Sequence, residues 1–340
     1  MALPPRATRI ADVAALAGVS TATVSRTLAN PEVVSPQMRE KVMAAVRQTS
    51  YTRNIVAANL RSRQTMLVLV VVPDIANPFF AEVLRGIDKT LSGSGYGIII
   101  GNLANSAAKE AHFVDLVFSG QVDGVLLLCG HVPQGKGRQM DVANVPLVAV
   151  CEFIPHVTLP QVGIDNQAAA QRVAQYLVGL GHKRFAYISG PASNILDKQR
   201  DAGFGNGLKA AGIRKPHLRF EGDFTFQSGA LAATEFLTLK QRPTAIFAAN
   251  DEMAIGFLKT VQKSGVKVPR DVSVVGFDDI EYSEYCEPTL TTVHQPRSAL
   301  GAAAARLLLD CMQGHEEIAK PRSQYLEAPM VERLSSAVIG

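Results

Sequence analysis

Only four cysteines stand among the 340 residues, Cys129, Cys151, Cys286 and Cys311, and no two of them form a CxxC pair. That excludes a disulfide framework and a zinc site, and leaves the four as small buried hydrophobes. Long apolar runs are missing too: the longest, Met66 to Pro73, has the length of one strand and not of a bilayer span. No membrane association is expected. The opening Met-Ala-Leu-Pro-Pro-Arg has no apolar segment ahead of Arg9 and Asp12, so a cytoplasmic protein is expected. There is no P-loop, no G-x-S-x-G and no H-E-x-x-H, and the seven histidines have no metal-ligand spacing. Gly203-Phe-Gly-Asn-Gly207 is glycine-rich, but it misses the dinucleotide spacing and falls inside a predicted helix. No enzyme, catalytic residue, metal ligand or cofactor is therefore expected. The final Leu334 to Gly340 shows no leucine heptads, so nothing supports a coiled-coil tetramer.

Apolar residues make up 47% of the chain and charged residues 19%, which is ordinary globular chemistry, and the length predicts two or more domains. The net charge of +4 is unevenly spread. Residues 1–63 hold nine Lys and Arg against three acids, a net of +6, and the remainder holds 25 against 27, a net of −2. A small basic head on a near-neutral body predicts a polyanion partner for the head alone.

The head reads as short helices. Ile10, Val13, Ala14 and Ala17 share one helical face, and Gly18 is placed to end that helix in a tight turn. Ser20 can cap a second helix carrying Val24 and Leu28, Asn30-Pro31 breaks it, and Ser35 can cap a third with Met38, Val42, Ala45 and Val46 inside. Two small helices around a glycine turn make a helix-turn-helix. Residues 54–63 have little apolar surface and read as a linker that orders conditionally. From Met66 onward short apolar runs alternate with amphipathic helix-length segments. The runs are Met66–Val72, Gly97–Ile100, Gly124–Leu128, Leu147–Val150, Phe185–Ile188, Ala245–Ala248 and Val272–Val275. That alternation predicts parallel sheets covered on both faces, with too many units for one, hence an α/β core of two Rossmann-like lobes.

Several stretches together resemble the lactose-repressor/galactose-repressor (LacI/GalR) family of bacterial transcription factors. They are Ile10 to Asn30 in the head, then Gly181-His-Lys-Arg-Phe-Ala-Tyr-Ile-Ser-Gly-Pro191, Val272-Ser-Val-Val-Gly-Phe-Asp-Asp279 and Leu290-Thr-Thr-Val-His-Gln-Pro296. The likeness runs through nearly the whole chain in the family's order, and Gly222 to Phe226 is similar to its cytidine-regulator branch. Arg53 where a proline is common, Asn59 in place of a small residue and the absence of tryptophan are departures. The resemblance implies a small all-α helix-turn-helix head at 1–53, a hinge helix at 54–64, and a two-lobed periplasmic-binding-protein-like core at 65–340. The N-lobe would take about 65–164 and 296–326, and the C-lobe about 165–295 and 327–340.

It also implies a repressor that binds a palindromic operator as a homodimer and is allosterically controlled by a small molecule between the lobes. Its second helix would enter the major groove. There Thr21, Ala22 and Arg26 match base-reading positions: Arg26 has the fork that suits a guanine edge, and Ala22 can meet a thymine methyl. Thr23 and Ser25 read as phosphate contacts that set register. In the hinge, Leu60 matches a minor-groove wedge, with Arg61 beside it and Asn54 near the start.

For the effector, the resemblance points to Arg200, Asn250 and Asp278 as polar contacts and to Phe79, Phe80 and Phe224 against the ligand's apolar face, with Gln295 a further candidate from the crossover. An Arg fork, an amide and a carboxylate can satisfy neighbouring sugar hydroxyls. A structural Arg200–Asp278 ion pair, and Phe79 and Phe80 as plain core, are the competing readings. Ala248-Ala-Asn-Asp251 is similar to sugar-responsive members, which favours a mono- or disaccharide, with a nucleoside or purine as the alternative. A two-lobed sugar-binding protein without a DNA role is the rival from another class, and the basic head argues against it.

Overall fold

The computed structural model describes residues 8–52, 64–314 and 323–339, in two compact units divided at Thr65 and Met66. Asn54, Leu60 and Arg61 of the expected hinge lie outside the described residues.

The first unit holds α1 (Ile10–Ala17), α2 (Thr21–Ala29) and α3 (Pro36–Thr49). Arg9 donates its backbone N–H to the Asp12 carboxylate at 2.7 Å, closing the start of α1. Gly18 ends it at φ 58, in the left-handed region that a side chain resists, and Val19 N–H returns to Ala14 O at 3.0 Å. Ser20 Oγ accepts the Thr23 N–H at 3.1 Å and caps α2; Ser35 caps α3, with Pro36 in its first turn. The core is six small side chains, Val13, Ala14, Ala17, Val24, Val42 and Ala45. A helix-turn-helix is thus formed at the expected spacing.

The second unit begins with β1 (Leu67–Val72), α4 (Phe79–Ser92), β2 (Gly97–Asn102), α5 (Ala107–Phe118) and β3 (Gly124–Leu127). A small hairpin, β4 (Gln134–Gly135) and β5 (Arg138–Gln139), precedes β6 (Leu147–Cys151) and β7 (Gln161–Ile164). There follow α6 (Asn166–Gly179), β8 (Phe185–Ile188), α7 (Ile195–Ala210), β9 (Leu218–Phe220), α8 (Phe226–Thr238), β10 (Ala245–Ala248), α9 (Asp251–Lys263) and β11 (Ser273–Val275). The short α10 (Tyr282–Tyr285) leads to β12 (Thr292–Val293), α11 (Arg297–Met312), β13 (Ser323–Leu326) and β14 (Met330–Val331).

Two parallel sheets result, in the orders β13-β7-β6-β3-β1-β2 and β11-β10-β8-β9. Their central strands are buried on both faces, which is why they read as unbroken apolar runs. The chain passes from the first lobe to the second between β7 and α6, leaves through β12 to α11, and returns through β14. The last two crossings pair antiparallel, Thr292 with Val331 and Val293 with Met330. Helix α7 is capped by Asn194, whose Oδ1 accepts the N–H groups of Leu196 and Asp197, which puts Arg200 in its second turn.

Helices of each lobe meet at glycines. A Cβ on Gly86 of α4 would stand 2.1 Å from Ser298 O of α11, and one on Gly301 of α11 would stand 2.1 Å from Val83 O of α4. Gly203 of α7 lies as close to Gln167 O, and Gly229 of α8 to Met253 O. Backbone meets backbone at these crossings, and no rotamer change could make room. Gly86→Ala should therefore cost about 1–3 kcal/mol of stability in denaturant melts, with a matching fall in Tm. Gly179→Ala, on α6 with nothing near its Cβ, should be neutral or stabilise by about 0.4–1 kcal/mol.

Candidate DNA interface and ligand cleft

On α2 the side chains divide by face. Val24 and Thr27 are buried, Thr21, Ala22 and Arg26 are exposed on the opposite side, and Thr23 and Ser25 are half-buried at the edge. Thr23 Oγ1 lies 2.9 Å from Ser20 Oγ, so its hydroxyl is shared with the cap. Arg26 has no ion-pair partner among the described residues, leaving its guanidinium fork open to solvent. An exposed face with Thr21 and Ala22 in the first turn and the free fork of Arg26 in the last has the chemistry that a major groove requires.

In the second unit the carboxyl ends of both sheets converge, the usual ligand position in such folds. Arg200 lies at the centre, 2% exposed. Its Nε donates to Asn166 Oδ1 at 2.9 Å and its Nη1 to Ala249 O at 2.5 Å, while its guanidinium stacks 3.8 Å over the Phe277 ring. Asp278, just after β11, is 3.8 Å from Arg200 Nη1 and accepts from Gln295 Nε2 at 2.7 Å. Arg200 and Asp278 are thus neighbours whose tighter bonds go elsewhere, and a snug structural pair does not account for them. Asp278 and Asp279 sit at φ 119 and 58, two consecutive non-glycine residues in the left-handed half of the map, the kind of local strain that clusters at functional sites.

Asn250 has more local work than its sequence context suggests. Its Oδ1 accepts the Met253 N–H at 3.0 Å, capping α9, and its Nδ2 donates to Phe224 O at 2.9 Å. Phe224, half-buried at φ 71, lays its ring against Gly190. Helix capping by itself already favours an asparagine at this position. Phe79 and Phe80 open α4, are buried in the main core, and meet edge to face at 5.3 Å.

Four more carboxyl residues are buried in this unit, of which the sequence motifs above name only Asp251, in Ala248-Ala-Asn-Asp251. Glu152 follows β6, Asp251 and Glu252 open α9, and Asp197 lies in the first turn of α7. Their signal was an acid placed directly after an apolar strand run, as in Val150-Cys-Glu152 and Phe247-Ala-Ala-Asn-Asp-Glu252. Asp197 is well held, accepting from Tyr187 OH at 2.8 Å, Gly190 N–H at 2.7 Å and Arg219 Nη2 at 2.9 Å. Asp251 accepts from Thr292 Oγ1, Ser283 Oγ and Ile280 N–H at 2.6, 2.7 and 2.9 Å. Glu152 has only Asn194 Nδ2, at 3.5 Å.

Among the described residues Arg200 is the one buried Lys or Arg, against five buried acids: Glu152, Asp197, Asp251, Glu252 and Asp278. Burial pushes Glu152 up to about 7, with Arg200 opposing. It pushes Glu252 up to about 7 as well, with Asp278, Asp74 and Asp223 adding. Asp251 and Asp278 are both raised, chiefly by burial; the Asp278 charge raises Asp251 further and Arg200 restrains Asp278. A cavity of about 660 Å³ opens elsewhere, between the outer face of α7 and the Ile213–His217 segment, and none of Arg200, Asn250 or Asp278 lines it. Among the described residues no group of His, Cys, Asp and Glu has the arrangement of a metal site.

A carboxyl group whose value rises on folding keeps a proton that the unfolded chain releases, so its contribution to stability declines as pH climbs through that interval. For Glu152 the interval runs from its ordinary 4.5 to about 7. Glu152→Gln should thus recover on the order of 2 kcal/mol at pH 8 relative to pH 4.5, read as a flatter dependence of Tm on pH.

The family described as "Bacterial regulatory proteins, lacI family" matches residues 9–54, and the "Periplasmic binding protein-like domain" matches residues 174–336. The chain is 42% identical to the HTH-type transcriptional repressor CytR of Escherichia coli, over 89% of each chain. It is 36% identical to catabolite control protein A of Priestia megaterium, over 89% of this chain and 92% of that one. The structure of the transcriptional regulator CelR in complex with cellobiose aligns with TM-score 0.73 at 34% identity, over 96% of this chain and 99% of that one. The Lac repressor dimer bound to operator and the anti-inducer ONPF aligns with TM-score 0.86 at 28% identity, over 98% and 100%. Helix-turn-helix head, twin parallel sheets, and these relatives agree, and the chain belongs to the LacI family of DNA-binding repressors with a ligand effector.

Proposed function

We propose that this repressor acts in the cytoplasm as a homodimer on a palindromic operator, and that its effector is an uncharged, hydroxyl-rich molecule, a mono- or disaccharide. The head would be residues 1–53, the hinge 54–64 and the effector core 65–340. One observation carries the ligand class: two buried acids, Asp278 at 3.8 Å and Glu152 through its charge, adjoin the single buried guanidinium of Arg200. Such a site offers a surplus of acceptors, which suits a ligand that brings many O–H donors and repels one that brings its own negative charge. Arg200, Asp278 and Asn250 would meet the hydroxyls, Gln295 would orient Asp278, and Phe224 with Phe79 and Phe80 would cover the apolar face of the ring. A nucleoside is the second reading, favoured by Glu152. A carboxyl group poised near neutrality can donate and accept at once, as the edge of a nucleobase demands.

On the DNA side, Thr21, Ala22 and Arg26 would read base edges, Thr23 and Ser25 would hold phosphates, and Leu60, with Asn54 and Arg61, would act in the minor groove. An apolar patch supports pairing with a second copy: Phe226 and Tyr282 meet at 6.2 Å beside Tyr285, which is 79% exposed.

Fluorescence anisotropy on a palindromic duplex, titrated with sugars, nucleosides and their phosphate esters at fixed salt, tests the reading. A free sugar or nucleoside should shift operator affinity, and the matching phosphate ester should not; a response confined to the esters would overturn the ligand class. Asp278→Ala should abolish the shift while operator binding without ligand stays intact. Arg26→Ala should cost about 1–3 kcal/mol on operator and relax preference at one base pair. Equal loss on random DNA would reassign Arg26 to the phosphate backbone.

A further inference from the structure

Asp278 faces the ligand cleft, but its neighbour Asp279 faces the crossings between the lobes. The consecutive left-handed residues turn the two carboxylates apart. The Asp278 N–H bonds Val293 O at 3.0 Å and its carbonyl accepts from Gln295 N–H at 3.3 Å, which ties the turn to β12. Asp279 is then seized from three sides. His294 Nδ1, at the end of β12, lies 2.7 Å from its Oδ2. Arg333 Nη2, two residues beyond β14, donates to its Oδ1 at 2.7 Å. Arg297 Nη2, the first residue of α11, donates to its backbone carbonyl at 2.6 Å. Arg333 is itself fixed, with Nη1 on Leu290 O at 2.9 Å, Nη2 also on Glu284 Oε1 at 3.1 Å, and its backbone N–H on Thr291 Oγ1 at 2.9 Å.

These contacts join the ligand-facing turn to both antiparallel crossings and to a helix of the other lobe. Helix α11 is locked to α4 through Gly86 and Gly301, and α4 starts at Phe79 and Phe80. A ligand shifts an equilibrium only through contacts that differ between the two states. Any rotation of the lobes about the crossings must move His294, Arg297 and Arg333 relative to Asp279.

We propose that Arg333 is a positioning residue: by clamping Asp279 to the returning crossing, it makes a ligand held at Asp278 set the orientation of the N-terminal lobe. This rests on the effector reading above and adds to it the route by which the site is coupled to the rest of the core. Arg333 has no place in ligand binding itself.

The test is the ratio of effector Kd without and with saturating operator, measured on the full chain and on Arg333→Gln. For the unaltered protein a ratio of about 5–150, in either direction, is expected; in Arg333→Gln it should fall to within about twofold of 1, while each affinity measured alone stays within about threefold. Arg333→Lys keeps one charge against Asp279 and should restore an intermediate ratio. An unchanged ratio in Arg333→Gln overturns the inference and leaves the effector reading standing. A parallel loss of both separate affinities together with Tm also overturns it, since Arg333 would then be holding the fold only. No coupling in the unaltered protein would overturn the effector reading itself. If Arg333→Gln fails to fold, His294→Asn, at a half-exposed site, removes a second hold on Asp279 and should lower the ratio in the same way; a full ratio there overturns the inference.

Discussion

Placing carboxylates where water is scarce is unfavourable unless cations or donors replace the lost hydration, and the second unit buries five acids with one buried guanidinium, Arg200, which adjoins Asp278 and Glu152. Arg200 is held in that position by Asn166, Ala249 and the Phe277 ring, so its charge is fixed before any ligand arrives. Most other features of the site are responses to this imbalance. Asp197 and Asp251 are sheathed in hydroxyls, backbone N–H groups and Arg219. Glu152 and Glu252, with fewer donors, keep their protons up to about pH 7 instead. A ligand that donates hydrogen bonds completes the set without adding charge.

The division of labour follows the same physics at a larger scale. The basic head carries the excess positive charge and an exposed fork on α2, while the core, net negative over residues 64–340, has turned its few buried charges inward. On the proposed reading, polyanion and small neutral ligand are thereby assigned to separate parts of one chain by charge.

Much of this was legible in the sequence. Gly18, Ser20 and Ser35 mark the head because turn and cap chemistry is local. The runs at Leu67–Val72, Phe185–Ile188 and Ala245–Ala248 mark the sheets because a strand buried on both faces has no polar side to hide its period. Gln161–Ile164 was not found, because it is short and opens on a glutamine whose Oε1 accepts the Ile154 N–H at 2.6 Å, a bond no pattern announces. Leu218–Phe220 escaped as an exposed edge strand, and Arg297–Met312 because its run of alanines blurs the helical period. At the site, Arg200, Asp278 and Gln295 came through resemblance. Glu152 and Asp197 did not, since their meaning arises only once distant strand ends are brought together. Asn250, also named through resemblance, caps α9 as well, a local role that the motif alone did not announce.

The glycine crossings have one more consequence, for how this scaffold can change over generations. Where backbones touch, the packed helix pairs tolerate almost no substitution, so each lobe is inherited as a fixed block. Glu152, Phe224 and Glu252 lie instead on loops or helix starts, where a side chain can be exchanged without shifting a helix crossing. A lineage can therefore alter the rim residue by residue while the packed blocks beneath it stay as they were.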